Sequence, residues 1–138
     1  LAADAERLPF KSECCDAVTN IESACDYPDR PAFYGEVCRI LKPGGAFLYA
    51  DVFMAGHTPE VCYNFFEAAG FVIERHDDIT SNVQASCLEV SNRRLDAFAG
   101  TGSGTQMKDF MGAPGSVVFK AFEERTATFD IFRVRKPR

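Results

Sequence analysis

Apolar positions along the chain follow two alternating periods. Cys15 to Ile21, CDAVTNI, is a short apolar run that predicts a buried strand. Phe33, Val37, Ile40 and Leu41 then fall at i, i+4, i+7 and i+8, which is one face of a helix, with Asp29 as its cap and Pro31 in its first turn. The breaker LKPGG stops that helix, and AFLYADVF, Ala46 to Phe53, predicts a second buried strand. After AGHTP, Glu60 to Ala69 reads as a helix with Val61, Phe65, Phe66 and Ala69 inward and Gly70 at its C-terminal end. FVIERHDDI follows as a third strand.

Strand, helix, strand, helix, strand implies parallel pairing through right-handed crossovers, hence an open α/β sheet. Ligands of such sheets bind at the carboxyl ends of the strands. That rule puts NIESACD and ADVF on the rim of a site. Beyond Thr80 the pattern changes. Val83, Cys87, Val90 and Leu95 lie near helical spacing, predicting a helix over 81–98, and Ser116 to Glu124 predicts another. Thr126 to Val134 alternates as a fourth strand, with Phe129, Ile131 and Arg133 on one face and Asp130 and Phe132 on the other. Between these helices AGTGSGTQ, Ala99 to Gln106, looks like a phosphate cradle. No Lys-Ser/Thr follows it and it trails a helix where a P-loop would follow a strand, so it reads as a loop.

Length and charge narrow the classes. A chain of 138 residues, 46% hydrophobic and 25% charged, suits one globular domain with a real core. Fifteen Lys+Arg against twenty Asp+Glu give a net charge of -5, which argues against a nucleic-acid surface, and the basic RVRKPR reads as a solvated segment. Six cysteines contain no C-x-x-C pair, and only His57 and His76 are there to complete a zinc set, so no metal is expected. With no secretory segment and no apolar run of membrane-spanning length, free thiols and a cytoplasmic location are the expectation.

The quoted stretches also carry a family resemblance. DAERLPF (Asp4 to Phe10), CDAVTNIESACDYPD (Cys15 to Asp29), FYGEVCRILKPGGAFLYADVF (Phe33 to Phe53) and EAAGFVIERHDDIT (Glu67 to Thr80) resemble, in that order, the C-terminal half of class I S-adenosylmethionine-dependent methyltransferases. Among these, the phthiotriol and macrolide-sugar O-methyltransferases are the most similar subgroup, and ITSNVQASCLEVSNRR and FMGAPGSVVFKAFEERTATFDIFRVRK resemble their lid helices and final strand. The resemblance implies a partial Rossmann-like fold, the C-terminal half of a seven-stranded sheet. Residues 1–138 would form one partial domain, with 80–125 as lid helices on the substrate side, where Val83, Val90, Phe110, Met111, Phe119 and Phe122 suit a lipophilic acceptor.

The same resemblance implies site residues. Asp4 would accept from the exocyclic amine of the cofactor's adenine while the Ala5 backbone N–H donates to a ring nitrogen, which together read both polarities of one base edge. Asn20 and Glu22 would lie beside the methionine half, with Glu22 either orienting the cofactor or capping the strand end. Cys25 and Tyr27 would face a small-molecule acceptor. Relatives often carry histidines at the positions of Cys25 and Asp26, where an imidazole is a natural base. Here Asp26 and Asp51 are the candidate proton acceptors, provided burial raises the pKa of Asp26. Asp26 reads equally well as a turn residue before the helix, and Cys25 as a small buried thiol.

The glycine-rich turn and the acidic strand end that hold the cofactor's ribose in a complete enzyme are not present before Leu1, so weak cofactor binding is expected. One edge of the first strand would then lack a partner, inviting a second copy of the chain or a missing N-terminal segment. Two other function classes stand beside the methyltransferase: a non-catalytic module that self-associates through that edge, and a small hydrolase-like or redox enzyme with Cys25 as nucleophile.

Overall fold

The computed structural model describes residues 3–97, 108 and 112–138, with backbone alone over 92–97. Two compact units emerge: the chain through Asp78 together with Asp130–Arg138, and Ile79–Phe129. The first holds β1 (Cys15–Ile21), a 3-10 turn (Ala24–Asp26), α1 (Arg30–Ile40), β2 (Leu41–Phe53), α2 (Pro59–Ala68), β3 (Val72–Asp78) and most of β4 (Thr128–Arg135).

The strand order is β1-β2-β4-β3. β1 and β2 are parallel, with Ala17 opposite Ala46 and Ile21 opposite Ala50, and β3 and β4 are antiparallel, from Val72 opposite Arg135 to Asp78 opposite Asp130. Gly44 N donates to Lys136 O at 2.9 Å, while further along β2 the rings of Tyr49 and Phe53 approach Phe132 at 6.3 and 5.9 Å, so β4 runs opposite to β2. The open α/β class is as expected, but the parallel pairing of the second and third strands is not formed, because β4 lies between them. Its buried Asp130, Phe132 and Val134 give it the face of an interior strand. β1, β2 and β3 still point the same way, so their carboxyl ends share one edge.

Local chemistry explains the helices. Asp29 Oδ1 accepts from Ala32 N at 3.0 Å, the N-cap that the sequence implied, and Pro31 sits in the first turn where its missing N–H costs nothing. α1 buries Phe33, Tyr34, Val37 and Ile40. α2 buries Cys62 and Phe66, whereas Val61, Phe65 and Ala69 are only half-buried. Phe65 and Ala69 nevertheless pack against the core beside Phe66, as expected, and Cys62, whose thiol lies 3.6 Å from the Tyr34 hydroxyl, joins that face. Phe66 lies 5.0 Å from Tyr34 and 5.7 Å from Tyr49, the centre of an aromatic core against Phe47 of β2. β1 is less buried than its apolar run suggested. Asn20 is its one buried residue, and Ile21 is 66% exposed.

A second tie joins α2 to the sheet. Tyr63 Oη lies 2.9 Å from His76 Nδ1, His76 Nε2 lies 2.6 Å from the buried Asp130 carboxylate, and the His76 ring stacks on Phe132 at 4.1 Å. The chain before β1 runs down α1. Asp29 N donates to Glu6 Oε1 at 2.6 Å, Leu8 N to Glu36 Oε2 at 2.8 Å, and Arg39 Nη1 to Phe10 O at 2.8 Å.

The second unit contains α3 (Thr80–Ala97) and α4 (Val117–Glu123), which touch each other. Thr80 Oγ1 accepts from Phe129 N at 2.9 Å, and Ser116 caps α4 by accepting from Phe119 N at 3.1 Å. Val83, Cys87 and Val90 share the half-buried face of α3, as their spacing implied, and Phe119 and Phe122 are buried. The side chain of Leu95, the loop 99–106, Phe110 and Met111 lie outside the described residues. Among the described residues no helix is long and apolar enough to cross a membrane.

Candidate active site

The carboxyl ends of β1 and β2 meet where the two strands separate. Their register sets Asn20 beside Tyr49, and Glu22 N donates to Ala50 O at 2.9 Å, the last bond of the ladder. Glu22 itself has φ +48, a left-handed conformation that side-chain-bearing residues seldom adopt and that concentrates at functional turns. The chain leaves the strand there and enters the 3-10 turn carrying Cys25 and Asp26.

Two polar clusters occupy this end. In the first, Ser23 Oγ donates to Asn20 Oδ1 at 2.7 Å, and the Tyr27 hydroxyl lies 3.3 Å from the same oxygen and 3.2 Å from Ser23 Oγ. Asn20 is only 7% exposed, and its Nδ2 is the one buried side-chain polar atom among the described residues with no hydrogen-bond partner. In the second, Asp51 is fully buried. Its Oδ1 accepts from Val52 N at 2.9 Å and its Oδ2 from the Tyr49 hydroxyl at 3.0 Å.

Asp51 polarises its neighbours. Although part of the Glu22 side chain reaches solvent, partial burial and then the Asp51 charge push its carboxyl pKa above the ordinary value. Cys25 is exposed, not the buried thiol that the sequence also allowed, yet partial desolvation on the turn and then the charges of Asp51 and Asp26 push its thiol pKa up. A thiol held protonated is a poor nucleophile, so the Cys25 hydrolase-like or redox reading finds no support. Asp26 is exposed on the same turn.

A histidine outside the sequence-derived site set joins the second cluster. His57, 5% exposed and stacked on Phe53 at 4.8 Å, places Nδ1 3.0 Å from Arg30 Nη1 and Nε2 3.4 Å from the Tyr49 hydroxyl. Arg30 also donates to Ala24 O at 3.0 Å and Cys25 O at 3.2 Å. Burial and then Arg30 lower the His57 pKa, against an opposing pull from Asp51. In the sequence His57 is only one of two histidines for a zinc set that the spacing does not support. Nothing in its spacing from Arg30 or Tyr49 announces a contact.

Asp4 and Ala5 lie in the turn before β1. Asp4 Oδ1 accepts from Glu6 N at 2.9 Å, Ala5 packs against the core, and the Glu6–Asp29 bond pins this turn to the start of α1, at the end of the sheet that holds Glu22. Of the expected site residues, the fold therefore joins Asn20 to Tyr27 by hydrogen bonding and Glu22 and Cys25 to Asp51 by charge. Asp26 is left exposed on the turn. No group of three or more His, Cys, Asp or Glu side chains among the described residues is arranged to hold a metal ion.

Known proteins resemble the chain in sequence and in fold. Residues 1–49 match the methyltransferase domain family model. Over 140 aligned residues the chain is 30% identical to the phthiotriol/phenolphthiotriol dimycocerosates methyltransferase of Mycobacterium leprae, an alignment that covers 96% of this chain and 50% of that protein. A fatty-acid O-methyltransferase of Mycolicibacterium smegmatis is 47% identical over 57 residues, 41% of this chain and 21% of that one. In fold, geranyl diphosphate C-methyltransferase from Streptomyces coelicolor A3(2) superposes with a TM-score of 0.75 over 99% of this chain and 52% of that one, at 13% identity. The chain thus spans about half the length of these full-length matches. It matches class I S-adenosylmethionine-dependent methyltransferases in sequence over about half of their length and shares their partial Rossmann-like sheet.

Proposed function

We propose that this end of the sheet serves methyl transfer from S-adenosylmethionine to a hydroxyl group of a small lipophilic molecule. The observation that carries the reading is the buried, unpartnered Nδ2 of Asn20 beside Glu22, a carboxyl of raised pKa. An unpaired buried donor costs about 1–3 kcal/mol, and an acceptor on a bound cofactor removes that cost. The residues fit such a group: Asn20 has a donor to give, and the exposed Asp4 carboxylate spends only Oδ1 on its own turn. Asp4 and the Ala5 N–H would read the adenine edge, and Asn20 and Glu22 would lie beside the methionine half.

Bound there, S-adenosylmethionine supplies an electrophilic methyl on a sulfonium. The protein's work is then to align the acceptor, exclude water and take the hydroxyl proton. Asp51, whose oxygens already accept two hydrogen bonds, acts through its charge, which strengthens Glu22 as a proton acceptor. Asp26, exposed on the turn, lacks the burial on which its role as a proton acceptor depends, and Cys25 and Tyr27 flank the acceptor hydroxyl. Relatives named for phthiotriol lipids and fatty acids support a lipophilic acceptor.

Calorimetric titration of the complete gene product with S-adenosylhomocysteine tests the reading, together with transfer of labelled methyl to long-chain hydroxylated lipids. Binding that weakens about 10-fold in Asn20→Ala, as loss of one well-made hydrogen bond implies, supports it. Absence of binding together with a dimer in sedimentation would replace it with the self-associating module, for which the exposed Ile21 at the end strand β1 is the contact.

A further inference from the structure

Arg30 carries only donors, so the His57 Nδ1 that meets its Nη1 at 3.0 Å must be the acceptor nitrogen, which leaves the ring proton on Nε2. That Nε2–H donates to the Tyr49 oxygen, 3.4 Å away. Tyr49 is 1% exposed, and burial together with neighbouring Tyr34 keeps its hydroxyl protonated, so it donates onward to Asp51 Oδ2 at 3.0 Å. Every proton in this chain points toward Asp51. At the other end the remaining Arg30 donors grip Ala24 O and Cys25 O, the backbone of the 3-10 turn.

We infer that Arg30, His57 and Tyr49 form a one-way hydrogen-bond relay in which His57 is the positioning residue, fixing the turn that carries Cys25 and Asp26 against the Asp51 end of β2. The inference rests on reading this end of the sheet as the methyl-acceptor side. Its elements are far apart in sequence: Arg30 opens α1, Tyr49 and Asp51 lie on β2, and His57 precedes α2. Within a buried network each link polarises the next, so breaking one weakens the hold of the others on the carboxylate and on the turn.

Nitrogen-15 NMR of the histidine side chains tests the relay without any turnover. His57 and His76 are the only histidines, and His57→Asn assigns the signals. At pH 7 the relay requires His57 as the neutral Nε2–H tautomer, with Tyr49→Phe moving the Nε2 signal and leaving Nδ1 in place. An Nδ1–H tautomer, an averaging mixture of the two, or a Nε2 signal indifferent to Tyr49→Phe overturns it. In the methyl-transfer assay His57→Asn and Tyr49→Phe should each lower kcat about 10- to 100-fold, the scale of a small misplacement, with S-adenosylmethionine affinity unchanged. The double variant should cost no more than either single one. Additive losses, or losses in cofactor affinity alone, also overturn the relay. Should the unaltered protein transfer methyl to no acceptor, the methyltransferase reading falls while the tautomer still decides the relay.

Discussion

Glu22 and His57 sit in the same electrostatic neighbourhood and respond to it with opposite signs. The Glu22 pKa is raised in the fold from 4.5, so the folded state binds more protons above that pH, and the contribution of this group to stability is present in acid and lost as pH rises through its folded value. The His57 pKa is lowered from 6.5 by burial and by Arg30 of α1, opposed by Asp51 of β2, with Tyr49 of β2 as its other polar neighbour. Its contribution is present above 6.5 and is lost as pH falls through its folded value. Thermal denaturation across pH 4 to 8 checks both: Glu22→Gln should raise Tm most at the neutral end, and His57→Asn should flatten the decline that begins near pH 6.5. At this scale the sequence was legible where chemistry is local. Asp29 caps α1 because cap and partner are three residues apart. The Arg30–His57–Tyr49 contacts were illegible because their separations follow neither a helical nor a strand period.

The helices and strands divide in the same way. β1 begins and ends where the apolar run does, and α1 follows from its i, i+4, i+7 face, because both signals are periodic along the chain. The place of β4 between β2 and β3 was hidden, since strand order depends on partners far apart in sequence. On α2 the burial of Cys62 was not foreseen beside that of Phe66. Cys62 looks unremarkable in sequence, yet it and Phe66 are wholly buried. Phe66→Ala should therefore destabilise by about 3–5 kcal/mol, the cost of an aromatic cavity. Asp29→Ala should cost about 0.5–2 kcal/mol, the worth of an N-cap. Chemical denaturation of both variants measures the difference; near-equal losses would mean that α2 is not the keystone of this core.

The whole molecule is a sheet-bearing unit interrupted by a second unit, and the manner of interruption has a consequence of its own. Asp78 and Asp130, the residues on either side of Ile79–Phe129, face each other in the β3–β4 ladder. Topologically β3 and β4 are a hairpin in which the entire second unit stands where a tight turn would be. A hairpin is indifferent to what closes it, because the entropy of closure grows only slowly with loop length. Replacing Ile79–Phe129 with an Asn-Gly turn should leave the β3–β4 pairing and the Asn20, Glu22 and Asp51 cluster intact, as amide chemical shifts of the shortened protein would show. The insert is in that sense a cassette, joined to the sheet-bearing unit at one seam, so that its length and sequence can change while the pairing on either side of that seam stays as it is.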